Sequence, residues 1–190
     1  MAQNANRLVC FLIVFVQFFV CVELRAQYGN GASAEDYNRG TACLLEYANS
    51  RLGIKEKTGR NDGPEIDRML RLVGSPLRSP WCGAYIGDIF YHCGFKIPRL
   101  AGAARAWFTK DKLVPPALAQ PTDVIGIWYN NLGRIGHIAM IEAIGKVNYI
   151  TNEGNTNAQG SREGNVSARR IRHKSMVKYV ARHRELRKPP

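Results

Sequence analysis

The sequence predicts an α+β domain in which N-terminal helices pack on a C-terminal antiparallel sheet. Apolar residues recur at helical spacing only in the first half of the chain. From residue 124 onward they fall into short runs rich in Val, Ile and Tyr, divided by Gly- and Asn-containing breaks. Helices followed by strands, rather than the two in alternation, is the order of an α+β fold. A length of 190 residues, 45% of them hydrophobic and 22% charged, suits one domain with a single core and argues against wholesale disorder.

The first residues are of a different kind. Met1–Arg7 is polar with one positive charge, and Leu8–Val22 is an apolar run broken only by Gln17, before Glu23 and Arg25 end it. A membrane span needs about 20 apolar residues, so this run reads as a secretory signal peptide over residues 1–26, with Ala26 as the small residue at the cleavage point. Leu24 and Arg25 make that point imperfect, and an uncleaved anchor is the alternative. The expectation is an exported protein of one domain, residues 27–190, that meets a membrane only through its signal segment. Cleavage removes Arg7, Arg25 and Glu23 and lowers the net charge of +12 by one.

Ala34–Leu52 places Tyr37, Cys43, Leu44, Tyr47 and Leu52 near one helical face, with Ser33 as candidate N-cap. A polar loop, Gly53–Gly63, ends in Asn61-Asp62-Gly63-Pro64, and Pro64 suits the first turn of a short helix through Val73. After a second loop, Gly74–Pro80, the positions Cys82, Tyr85, Ile86, Ile89, Phe90 and Cys93 follow helical spacing until Gly94 supplies a stop. Ala101–Phe108 reads as a short helical turn and Pro115–Pro121 as a connector. Five strands follow, over Val124–Tyr129, His137–Ile144, Val147–Thr151, Val166–Arg172 and Val177–Arg182, with a polar Gly-rich loop at Asn152–Asn165. Their spacing is that of a meander.

Cys43, Cys82 and Cys93 remain after the signal segment, and three cysteines cannot all pair. Cys82 and Cys93 stand eleven residues apart on one predicted helix, about 16 Å, too far for a disulfide. Cys43 pairs with Cys93 or with Cys82, and the sequence leaves both open. Cys82, in Ser79-Pro80-Trp81-Cys82-Gly83-Ala84-Tyr85, stands at a helix start, where unpaired N–H groups stabilise a thiolate and can hold an oxyanion. Standing alone, such a cysteine is more often an inert core residue. His137, in Arg134-Ile135-Gly136-His137-Ile138-Ala139, opens an apolar strand and has the chemistry of a general base. Glu153 and Asn155, in Thr151-Asn152-Glu153-Gly154-Asn155, end the next strand, where either can accept a hydrogen bond from the imidazole Nδ1–H and fix its tautomer. His92, His173 and His183 read as structural.

Taken together and in this order, the Trp-Cys-Gly-Ala-Tyr helix start, the Gly-His-Ile-Ala-Met-Ile strand and the Glu-Gly-Asn strand end resemble the CHAP family of cysteine, histidine-dependent amidohydrolases/peptidases, over about Glu35–Arg172. Asn61-Asp62-Gly63 and Ala106-Trp107 add weaker likeness. The resemblance implies a papain-like fold of the NlpC/P60–CHAP type. It implies Cys82 as nucleophile, His137 as base, Glu153 as orienting acid and Asn155 as an auxiliary polar residue, with Asn61, Asp62, Trp81 and Trp107 as candidate substrate contacts. It implies hydrolysis of a peptidoglycan amide, either between muramic acid and L-alanine or within the peptides, with no cofactor.

No Cys-x-x-Cys or His-x-x-x-His pair supplies two metal ligands locally, so no metal is expected. Between Arg169 and Lys188 there are nine Lys or Arg and the single acid Glu185, a basic region suited to anionic wall polymers. It lacks the interleaved aromatics of a nucleic-acid platform. The alternative to the enzyme is therefore a non-catalytic protein of the same fold that binds the cell wall or another anionic polymer.

Overall fold

A computed structural model describes residues 34–157 and 164–187; the signal segment expected over residues 1–26 and the candidate N-cap Ser33 lie outside the described residues. Among the described residues three helices come first: α1 (Ala34–Ser50), α2 (Pro64–Leu72) and α3 (Cys82–His92). Six strands follow, β1 (Leu113–Val114), β2 (Val124–Tyr129), β3 (Arg134–Ile144), β4 (Asn148–Thr156), β5 (Val166–His173) and β6 (Val177–Ala181), with short 3-10 turns at Ala104–Trp107, Lys110–Lys112, Pro116–Leu118, Asn130–Leu132 and Lys174–Met176. All pairings are antiparallel and the strand order is β1-β6-β2-β3-β4-β5. The α+β organisation predicted by the sequence is the one observed. No described helix is long and apolar enough to cross a membrane.

Helix α3 is the axis of the core. Every residue from Cys82 to Phe90 is buried, because α1 and α2 cover one side while β3 and β4 lie against the other. Ile86, Ile89 and Phe90 are fully buried, each worth about 1.5–3 kcal/mol of removed apolar surface. Two glycines permit the close approach. A Cβ on Gly83 would stand 2.5 Å from the carbonyl oxygens of Ala101 and Gly102, which cross the first turn of α3, and one on Gly154 would stand 2.5 Å from Cβ of Tyr85. The disulfide joins Cys43 of α1 to Cys93, just past α3, with Cα atoms 5.7 Å apart, and leaves Cys82 free.

The sheet departs from the expected meander in its last strand. Strands β2 to β5 run in sequential order, but β6 returns to lie between β1 and β2. Only Lys174–Met176 separates β5 from β6, a link that spans at most about 14 Å. Four strand spacings in a flat sheet are about 19 Å. The sheet must therefore curl until the end of β5 approaches β6. The face away from the helices carries a second, smaller cluster of Ile125, Ala139, Ile141, Tyr149 and Val180, with Val114, Ala119 and Val177 packed on it.

Two further differences bear on the site. The Gly-rich loop expected from Asn152 begins later, because β4 continues through Thr156, so Glu153 and Asn155 are strand residues. Extra residues interrupt the ladders beside the site, at Gly136 between the pairs Ile127–His137 and Trp128–Ile135, and at Gly154–Asn155 between the pairs Glu153–Ala168 and Thr156–Val166. Such bulges re-aim side chains without ending the strand.

Candidate active site

Cys82 is the first residue of α3, and Trp81 at the cap position supplies no side-chain hydrogen bond to the helix end. The first N–H groups of α3 are thus left to whatever lies at that end. The loop delivering Cys82 is held from three sides. The Trp81 N–H donates to Asn155 Oδ1 at 3.1 Å, the Trp81 carbonyl accepts from the Tyr85 N–H at 2.8 Å, and the Trp81 indole N–H donates to Glu56 Oε1 at 2.8 Å. Burial, with 4% of Cys82 exposed, pushes the thiol up. The hydrogen bond and charge of His137, helped by the backbone N–H groups of Ile138 and Gly83, outweigh burial and hold the thiol below its ordinary value.

His137 is fully buried, and Nε2 rather than the expected Nδ1 lies 2.9 Å from Glu153 Oε2. Glu153 is ionised, so it accepts and Nε2 carries the hydrogen; the tautomer follows from the carboxylate. Nδ1 makes no hydrogen bond to nitrogen or oxygen among the described residues and is the ring atom left to exchange a proton with Cys82. Burial pushes the imidazole down, but its bonds to Cys82 and Glu153 raise it to about 9. Thiol lowered and imidazole raised are the two halves of one ion pair.

Glu153 has no exposed surface. A carboxylate so placed needs full compensation. It receives Nε of Arg172 on Oε1 at 2.7 Å, Nη2 of Arg172 on Oε2, and the Thr151 hydroxyl on Oε1 at 2.6 Å, besides His137. Burial raises its carboxyl, and Arg172 followed by His137 brings it well below the usual carboxylate range. Arg172 is itself 4% exposed. The sequence reading placed it in a surface-charge stretch; the one available signal was that a buried carboxylate must have a cation.

Cys82, His137 and Glu153 come together, and the other candidates take different places. Asn155 touches neither thiol nor imidazole in any observed hydrogen bond. Its side chain holds the Trp81 N–H and donates to Asn61 Oδ1 at 3.2 Å and to the Gly164 carbonyl at 2.6 Å. Asn61 in turn donates its side-chain amide to the Arg78 carbonyl at 3.4 Å, and its backbone N–H donates to Glu56 Oε2 at 2.9 Å. Both asparagines hold left-handed backbone, φ 55° and 54°, which Asn tolerates better than most residues. Asp62 closes its own loop by accepting the Thr58 N–H and hydroxyl at 2.9 and 2.7 Å. Trp81 and Trp107, expected as substrate contacts, are both fully buried and pack in the core, Trp107 against Phe90 and His183 with its N–H on the Ala101 carbonyl. His92 stacks on Tyr47 and His183 bonds the Trp107 carbonyl at 2.9 Å.

The basic region is also partly internal. Arg172 serves Glu153, while Arg182 and Arg184 converge on the buried Asp123, at 2.9 and 3.2 Å from Oδ1. Arg169 pairs with Glu142. Arg172, Arg182 and Arg184 are thus engaged by buried carboxylates, while Arg169 stays half exposed.

The sequence matches no protein-family model and no curated protein. Solved structures with a related backbone include the P60 domain of an antigen of M. avium subspecies paratuberculosis, 14% identical over 76% of this chain and 95% of that one, TM-score 0.48. A second is an NlpC/P60 family protein from Bacillus cereus, 16% identical over 75% of this chain and 40% of that one, TM-score 0.47. A third is the peptidoglycan hydrolase RipB from Mycobacterium tuberculosis, 19% identical over 87% and 77%, TM-score 0.47. Likeness at this level leaves reaction and substrate to the site's own chemistry.

Proposed function

We propose that the chain is an exported, papain-like cysteine hydrolase that cleaves an amide of bacterial peptidoglycan through an acyl-enzyme on Cys82. The observation that carries the reading is the buried relay from Cys82 at a helix start to His137 and on to an ionised Glu153. The thiolate attacks the amide carbonyl carbon, and the N–H groups at the start of α3 stabilise the oxyanion. The His137 Nδ1–H gives its proton to the leaving amine, whose bond to carbon breaks as the thioester forms. Water then attacks the thioester, giving a proton back to Nδ1, and the acid leaves as the thiolate is restored. Glu153 stays ionised and keeps the imidazole in one tautomer.

The substrate class rests on the CHAP resemblance of the three motifs, and export on the apolar leader of residues 8–22. Muramoyl-L-alanine amidase and peptide endopeptidase activities both use this chemistry. The test is release of new amines from purified wall sacculi by the parent and by Cys82→Ala, with mass spectrometry of the products to name the bond. Cys82-dependent release is expected. Equal release by both proteins overturns the mechanism, and sacculus binding without release by either favours a non-catalytic wall-binding protein.

A further inference from the structure

Arg172 belongs to no motif that the catalytic reading uses, yet it makes more bonds to Glu153 than any other residue. We propose that Arg172 is a positioning residue of the site: its guanidinium fixes the carboxylate that orients His137, and its charge sets the pH range over which the Cys82–His137 pair is armed. This rests on the hydrolase reading above.

The geometry is costly for a residue that only joins two strands. In the β4–β5 register Glu153 stands opposite Ala168, whereas Arg172 stands opposite Tyr149. Arg172 is therefore four residues along β5, about 13 Å of strand, from the position facing Glu153, and its side chain runs back past the Thr151–Arg170 rung to reach both carboxylate oxygens. Only a planar fork delivers two N–H groups to two oxygens in this way; a lysine brings one point charge. With Thr151 on Oε1 as well, Glu153 has no freedom to rotate, and the imidazole bonded to Oε2 inherits that rigidity.

The electrostatic part follows from the groups that face one another. His137 on β3, Thr151 on β4 and Arg172 on β5 face Glu153; His137 and the N–H groups of Gly83 and Ile138 face Cys82; Tyr129 at the end of β2 is the further titratable group coupled to Arg172. Arg172 and Glu153 together are neutral toward the thiol–imidazole pair. Removing the cation leaves an anion, which favours imidazolium and disfavours thiolate, so both titrations move to higher pH. Removing the carboxylate charge does the reverse. Removing both returns the pair to its original balance.

The test is the pH dependence of Cys82 alkylation by iodoacetamide, followed on the Cys82 peptide by mass spectrometry in the folded full chain, alongside sacculus hydrolysis. Arg172→Gln is expected to raise the alkylation midpoint by about one pH unit and Glu153→Gln to lower it by a similar amount. The double variant is expected to return close to the parent. Arg172→Lys keeps the charge and loses the fork, so its midpoint stays while hydrolysis slows; if Arg172→Gln does not fold, the rise in midpoint from Glu153→Gln to the double variant reads the same charge. An Arg172→Gln midpoint equal to the parent's, or a double-variant midpoint equal to that of Glu153→Gln, with thermal stability lowered, would make Arg172 a structural residue and overturn the inference alone. A parent midpoint at the ordinary thiol value, near 8.5, with no Cys82-dependent hydrolysis, overturns the hydrolase reading with it.

Discussion

Glu153 and Asp123 are both buried carboxylates, both fully desolvated and both gripped by arginine. They differ in their remaining company. Asp123, just before β2, takes Arg182 and Arg184 on its oxygens, and its other contacts are backbone: Oδ2 accepts the Gln120 N–H and its carbonyl accepts the Ile141 N–H. It ties the C-terminal residues to the sheet. Glu153 takes one arginine and then an imidazole that adjoins a thiol. Burial and ion pairing alone do not mark a functional carboxylate; a neighbour that must gain and lose a proton does.

That contrast can be broken by substitution. The largest effect belongs to the relay: Cys82→Ala is expected to lower hydrolysis of sacculi by at least about 10³-fold with melting little changed, measured by amine release and circular dichroism. Next, Asp123→Asn strands two arginine contacts and is expected to destabilise the fold by about 3–5 kcal/mol in urea titration. The pH midpoint of Cys82 alkylation in its folded fraction should equal the parent's, and a shift there would erase the distinction between the two carboxylates. Replacing Cys43 and Cys93 together by alanine opens a 50-residue link and costs about 4 kcal/mol, again with the alkylation midpoint unmoved.

The pH profile sharpens the same comparison. His137 titrates near 9 when folded against an ordinary 6.5, so its contribution to stability is fully present below about 6.5 and is lost as pH rises through about 9. Cys82 titrates below its ordinary value, so the thiolate's contribution is present above that value and is lost as pH falls through the lowered one. Hydrolysis should rise on the acid side with the thiol and fall near 9 with the imidazole. Stopped assays from pH 5 to 10, a range of about five units, will show whether both limbs exist. A profile flat through 9 would remove the imidazolium from the mechanism.

Much of this was legible in the chain because its signals are local. Pro80 before Cys82 and apolar residues at helical spacing after it located the start of α3 within one residue. The Gly136-His137 pair marked a strand, although β3 begins earlier, at Arg134. What stayed hidden depends on partners distant in sequence. Glycine and asparagine at 152–155 look like a loop, but β5 and α3 clamp that segment into β4. β1 is two residues long and exists only because β6 pairs with it. Arg172 is indistinguishable in sequence from Arg170, two residues before it on the same strand, until the fold brings its side chain back to Glu153 from a rung opposite Tyr149. Geometry along α3 excluded a Cys82–Cys93 bond, whereas choosing Cys43–Cys93 required knowing how α1 crosses α3.

The two ends of α3 are fastened by different means. At Cys93 the anchor is covalent; at Cys82 it is the Trp81 contacts to Asn155 and Glu56. Mechanically this is a lever with a fixed pivot about 16 Å from its working tip. A tilt of about 4° about that pivot carries the sulfur roughly 1 Å, a displacement on the scale that costs an enzyme about 10²-fold in rate. Loosening the tip by Asn155→Gly, which keeps the left-handed backbone and deletes the amide, would thus be felt at the thiol far more than at the disulfide. The aim of Cys82 is set by two hydrogen bonds at the free end of the lever, while the disulfide holds the other end in place.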